Sequence, residues 1–136
     1  MNEVEVLGVP TIQRRARELA ARLGNADYVL PSEPKHDGSP HLEVTDAYYL
    51  VVTERGYELD RRRTTDVDEL LYWAMEGLTS SLSWNYELAH RRDGEDSRRQ
   101  GFAKQIELLA TLSGEWAERR RREQADTLSQ HPYHDG

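Results

Sequence analysis

Cysteine is absent from all 136 residues. That excludes a disulfide framework, a thiolate nucleophile and any cysteine-based metal site. It agrees with a reducing compartment without requiring one, because exported proteins also lack cysteine. Long apolar runs are missing too. No stretch approaches the roughly 20 consecutive apolar residues of a membrane-spanning helix. The opening Met1-Asn2-Glu3-Val4-Glu5 is acidic and reads as neither signal peptide nor anchor. The chain also lacks the helical H-E-x-x-H zinc pattern, the G-x-G-x-x-G turn, a phosphate-binding loop and a nucleophile elbow.

Charge is what the chain has in quantity. It carries 25 acids against 18 bases, a net charge of -7. Residues 1–68 hold 13 acids and 9 bases, and residues 69–136 hold 12 and 9, so the acidity is spread evenly. Such a field disfavours nucleic acid and anionic membrane and favours a basic partner. It also serves plain solubility. The Arg61-Arg62-Arg63, Arg98-Arg99 and Arg119–Arg122 runs are interleaved with acids, which argues against a nucleic-acid face.

The length fits one domain, residues 1–136, able to bury about two-thirds of its unfolded surface. A helix is expected over 10–24, N-capped by Thr11, with Ile12, Ala16, Leu19, Ala20 and Leu23 on one stripe and Gly24 at C′. Residues 25–40 contain Pro31, Pro34 and Pro40 and read as a loop. Strands follow within 41–64, with Arg55-Gly56 as a two-residue hairpin turn. Asp66 and Glu69 form a capping-box pattern ahead of a central helix over 66–92. Two apolar rows are expected on it: Leu71, Met75, Leu78, Leu82 and Ala89, beside Leu70, Trp73, Gly77, Trp84 and Leu88. Gly77 is expected to admit a close neighbour. Further helices are expected over 96–112 and 113–130, with Pro132 closing the last. The fold class is therefore α+β: an N-terminal helix, a small antiparallel sheet of about three strands, then a three-helix half with a long central helix.

No residue set announces catalysis. Ser81 reads as a small packing residue. His131 and His134 flank Pro132 in what reads as a frayed tail, not a metal site. Trp73, Trp84, Trp116 and Phe102 fall on apolar rows and read as core. Tyrosines among acids make good binding anchors. The exposure pattern nominates Asp37, Glu43, Tyr48, Glu58 and Asp60 as contacts for a protein partner.

An ordered set of short motifs carries more. Glu54-Arg55-Gly56, Arg62, Thr65 and Glu69-Leu70-Leu71-Tyr72-Trp73 come first. Tyr86-Glu87-Leu88, Arg91, Asp96, Arg98-Arg99, Phe102, Lys104-Gln105, Leu108-Leu109, Trp116 and His131-Pro132-Tyr133 follow. In order and spacing they resemble the immunity protein 63 family of bacterial polymorphic-toxin systems, over residues 40–135. The resemblance implies a non-enzymatic, cytoplasmic protein, and the residues themselves lead us to expect no cofactor, no metal, no nucleic acid and no membrane as partner. Such a protein binds and blocks a cognate toxin domain. A nuclease toxin would suit the acidic surface. Tyr72, Trp73, Glu87, Arg91, Asp96, Arg99 and Trp116 are family-like positions. Among them Glu87, Arg91, Asp96 and Arg99 are expected in buried or inter-helix ion pairs. Two alternatives stay open. One is a small enzyme or ligand-binding domain with a pocket at Tyr72, Glu87, His90 and Arg91. The other is an adaptor dimerising through Trp116.

Overall fold

The computed structural model describes residues 5–136. The reading of Met1-Asn2-Glu3-Val4 as neither signal nor anchor lies outside the described residues. The element order is α1 (Val9–Arg22), β1 (Asp37–Val44), β2 (Tyr48–Glu54), β3 (Tyr57–Thr64), α2 (Val67–Ala89), α3 (Ser97–Leu112) and α4 (Gly114–Gln130). This is the expected α+β class. The chain groups into two compact units, Met1–Met75 and Glu76–Gly136, so that α2 contributes to both.

In the first unit, α1 begins earlier than Thr11 would set it. Gly8 is the N-cap and no side chain caps the helix. Pro10 sits in the first turn, where its fixed φ suits a helix and its missing N–H has no partner to lose. The C-terminus closes as read: Gly24 takes φ +81°. Its N–H reaches Ala21 O, and the Asn25 N–H reaches Ala20 O, both at 3.0 Å, which is a Schellman end.

The sheet is antiparallel in the order β1-β2-β3. β1 starts at Asp37, inside the stretch read as loop. Pro40 is tolerated there because β1 is an edge strand with an irregularity between Asp37 and Pro40. Thr45-Asp46-Ala47 then link β1 to β2, and Val44 pairs with Tyr48. Glu54 pairs with Tyr57, and Arg55 and Gly56 take φ +51° and +84°. Two left-handed residues in a two-residue loop make a type I′ turn, whose twist matches that of the strands.

The core of this unit is mostly apolar, with His41 and Thr53 as its buried polar side chains among the described residues. α1 supplies Ile12, Ala16 and Ala20; Leu30 and Leu42 follow; β2 adds Tyr48, Leu50 and Val51. The first half of α2 adds Leu70, Leu71, Tyr72, Ala74 and Met75. Asp66 caps that helix by accepting the Asp68 N–H at 2.9 Å, while its own N–H goes to Thr64 Oγ1.

The second unit buries a different face of α2 from the one its apolar rows predict. Thr79, Ser83 and Glu87 are buried, whereas Trp84 and Leu88 are 51% and 53% exposed. The cause is the chemistry opposite. Gln105 of α3 donates to Glu76 O at 3.1 Å and Thr79 Oγ1 at 3.2 Å. Its Oε1 accepts from Arg120 Nε at 3.0 Å and Gln124 Nε2 at 3.3 Å of α4. Arg120 also pairs with Glu76 at 3.2 Å. Polar groups withdrawn from water need polar partners, so the Thr79 row turns inward and Trp84 turns out. Gly77 and Ser81 are exposed, and nothing lies within 4 Å of a Cβ built on Gly77. Neither residue serves the packing expected of it.

α2 stops at Ala89, before Arg92, where His90 Nδ1 lies 2.8 Å from Tyr86 O. Asp96 caps α3 through the Arg98 N–H, and Ser113 caps α4 through the Trp116 N–H. The tail is fastened, not frayed. Arg98 donates to His131 O and Pro132 O, each at 2.8 Å. The His134 N–H donates to Asp96 Oδ2 at 2.8 Å. Arg99 pairs with Asp135 at 2.8 Å and lies 4.0 Å over the Tyr133 ring.

Candidate functional site

The register of the sheet decides which nominated residues share a face. Side chains alternate along a strand. His41, Val51 and Arg61 form one cross-strand row, and Glu43, Tyr49 and Arg63 the next on the same side. Glu58, opposite Thr53, belongs to that side as well. Arg61 there reaches Glu43 at 3.0 Å and Glu58 at 2.7 Å, and its guanidinium lies 5.4 Å over the Tyr49 ring. His41 Nε2 lies 2.7 Å from Glu43 Oε2. His41 is buried and its Nδ1 has no partner.

This arrangement sets the electrostatics. Hydrogen bonds from Arg61 and then His41 hold the Glu43 carboxyl below the usual carboxylate range. Glu58 first, then Glu43, push the Arg61 guanidinium up. Two carboxylates share one guanidinium, so a partly exposed, negatively biased cluster with an aromatic ring covers this face. Chemically it suits recognition of a cationic surface. Beside it Tyr57 and Leu59 of the edge strand β3 are exposed.

The other nominated residues lie elsewhere. Asp60 pairs with Val52, hence on the opposite parity, where it approaches Arg62 at 3.6 Å. Asp37 stands at the hairpin end opposite Glu54. Ser39 donates its hydroxyl and its backbone N–H to the Asp37 carboxylate, which lowers that carboxyl's pKa. Tyr48 is not an exposed contact. It is 1% exposed, with its hydroxyl accepting the Leu7 N–H at 2.7 Å, because its parity is that of the core residues Leu50 and Leu42. Tyr49, His41 and Arg61 were not among the nominated residues. Tyr49 was findable from strict alternation once Val44 is paired with Tyr48. Arg61 needed the cross-strand register.

Among the family-like positions, Tyr72 and Trp116 are buried, and Trp73 lies 4.9 Å beneath Arg62. Glu87, 1% exposed, holds Arg91 through two contacts of 3.0 Å. That pair joins residues one turn apart, not two helices, and Arg91 depresses the Glu87 pKa. Asp96 is a cap whose pKa is lowered chiefly by Arg98, and Arg99 serves the tail.

Of the alternative pocket's residues, Tyr72 belongs to the first unit, and Glu87, His90 and Arg91 to the second. A cleft of about 280 Å³ in the second unit is lined instead by Tyr86, Arg92, Glu95, Arg99, Gln100 and Lys104, with others. An ionised, paired Glu87 is not poised as a general acid. Trp116, named for the dimerising alternative, is buried. Among the described residues no three His, Asp or Glu side chains gather to hold a metal, and no helix is long and apolar enough to cross a membrane.

Residues 45–126 match the family model of immunity protein 63. That match spans more than half of the chain, and the chain belongs to this family. No curated protein and no solved structure matches it.

Proposed function

We propose that this chain binds a cognate bacterial toxin domain and neutralises it by covering its active site or a surface beside it, without catalysing a reaction. Family membership carries this reading. The contact surface we assign is the half-exposed cluster of Glu43, Glu58, Tyr49 and Arg61, with Tyr57 and Leu59 of β3 alongside. Asp37 flanks it at the hairpin end, and Asp60 stands on the opposite parity of β3. The protein acts in the cytoplasm of the cell that makes the toxin, within a polymorphic-toxin system.

The negative bias favours a nuclease as the toxin, since nucleases carry basic clefts and opposite charge speeds association. Co-expression with the toxin domain encoded beside the gene tests the role. The expected outcome is rescue of a sensitive host and a stable purified complex. Killing that persists beside soluble, folded protein would sink the reading for that toxin. Glu43→Lys with Glu58→Lys is expected to slow association at low salt and leave little salt dependence. An association rate indifferent to salt in the unaltered chain counts against both the charged face and the nuclease assignment.

A further inference from the structure

The second unit carries a cavity of about 60 Å³, lined by Ser80, Ser83, Trp84, Gly101, Phe102 and Arg120, with others. Gly101 in its wall is buried, yet a Cβ built there meets no atom within 4 Å. Glycine inside a helix costs about 0.5–1 kcal/mol relative to alanine. Alanine would fit without clash, so glycine here keeps the space open at a cost to α3. Ser83 Oγ, also in the wall, is buried without a hydrogen-bond partner. Beside the cavity stands half-exposed Trp84, with Leu88 one turn further along α2. Exposed aromatic and aliphatic groups around a small pocket are how interfaces build anchor points.

The lining also states what enters. Arg98 is already paired with Asp96 at 2.9 Å, and Arg120 with Glu76 and Glu123 at 3.2 Å each. No free positive charge awaits an acid, and a cation would meet two guanidiniums. The occupant is therefore uncharged. At about 60 Å³ the cavity is far below the roughly 300–1,000 Å³ of a small-molecule site, so a single side chain is the size of occupant it takes.

We propose that this cavity is an anchor socket for one short, uncharged side chain of the toxin domain, with Trp84 and Leu88 packing on the partner around it. The proposal rests on the immunity reading and names a contact surface in the second unit. Gly101→Ala, Gly101→Leu and Trp84→Ala in the full chain test it. Affinity for the purified, catalytically inactivated toxin domain is measured by calorimetry, and thermal unfolding of each variant in parallel. Gly101→Ala is expected to raise Tm while weakening binding about tenfold, because its methyl occupies the socket. Gly101→Leu is expected to abolish binding, and Trp84→Ala to weaken it at least tenfold, with the fold retained. Wild-type affinity in Gly101→Ala and Trp84→Ala would overturn the socket and leave the immunity reading standing. An unaltered chain that neither rescues nor binds removes that reading, and the assignment with it. A self-associated chain that Gly101→Ala dissociates would give the socket to a second copy and overturn the toxin assignment.

Discussion

The two units bury different chemistry. The first fills its interior with Ile12, Leu30, Leu42, Leu50, Leu70 and Met75. The second buries Thr79, Ser83, Glu87, Gln105 and Gln124 beside Leu109, Trp116 and Ala117, and leaves Trp84 and Leu88 outside. The change occurs within a single helix, since α2 enters the first unit through Met75 and the second from Glu76. An apolar interior stabilises in proportion to area and is indifferent to direction. A polar interior depends on a few directed bonds, and each unpaired group left behind is costly. The second unit thereby fixes which way its helices face through directed bonds as well as Leu109 and Trp116, and leaves Trp84 and Leu88 at the surface.

The sharpest way to break this contrast is to truncate one large apolar residue in each unit. Leu50→Ala in the central strand is expected to cost about 2–5 kcal/mol, transfer and cavity terms together. Trp84→Ala removes a bigger side chain, yet is expected to cost about 0.5 kcal/mol or less, as exposed positions usually do. Urea denaturation of both variants checks the pair. A Trp84→Ala loss as large as that of Leu50→Ala would mean that Trp84 is core after all.

Next in size is the polar network. Gln105→Leu keeps the volume and removes four hydrogen bonds, including those from Arg120 and Gln124. A loss of about 2 kcal/mol is expected, because unsatisfied buried donors cost about 1–3 kcal/mol each and partial relaxation offsets some of it. A double-mutant cycle with Gln124→Leu sharpens the point. Coupling of about 0.5 kcal/mol or more marks a network, and strict additivity would mean two unrelated contacts.

Opposite ends of the pH scale should separate the units. In the second, Arg91, Arg98 and Arg99 depress the pKa of Glu87, Asp96 and Asp135 respectively. In the first, Arg61 holds Glu43 down and Ser39 lowers Asp37. A depressed carboxyl stabilises the fold above its unfolded pKa, near 4, and that stability is lost as pH falls through the folded value. Acid is therefore expected to loosen the second unit first, read as earlier loss of its amide signals in an NMR titration. Tyr28 in the first unit works the other way, since burial pushes its phenol up to about 12. Its contribution is full below the ordinary value near 10 and is lost as pH climbs from there. A late phenolate absorbance step that Tyr28→Phe removes would confirm it. An unchanged titration curve in that variant would refute it.

Where period and apolar pattern agreed, the sequence was legible. The stripe Ile12, Ala16 and Ala20, the double parity of Leu50 and Val51, and the Arg55-Gly56 turn all rest on local rules, and the structure has them. Trp84 misled because helical spacing cannot say which face a neighbouring helix will offer. Only the contacts of Gln105 and Arg120 decide that Thr79 turns inward. Tyr48 misled for a related reason. A buried phenol with a backbone N–H at its hydroxyl looks the same in one dimension as an exposed anchor. Glu43 and Glu58 were legible as surface acids, but their meeting on Arg61 depends on cross-strand register. The fastened tail was hidden because Arg98 and Arg99 reach residues more than thirty positions away.

A modest stabilising effect is the most diagnostic of what α2 presents to solvent. Gly77 is exposed inside the helix, and an added Cβ meets nothing. Had the residue admitted a close neighbour, Gly77→Ala would be destabilising. With open space there, the methyl removes backbone freedom from the unfolded chain and is expected to raise stability by about 0.5–1 kcal/mol. Gly77 precedes Trp84 by seven residues, two helical turns, and so shares its face. A variant that gains stability but loses toxin affinity would extend the contact surface two turns up α2. One that gains stability and binds unchanged would confine that surface to Trp84, Leu88 and the socket. A destabilised variant would return Gly77 to the packed interior and undo the account of why this half of α2 turns its polar row inward.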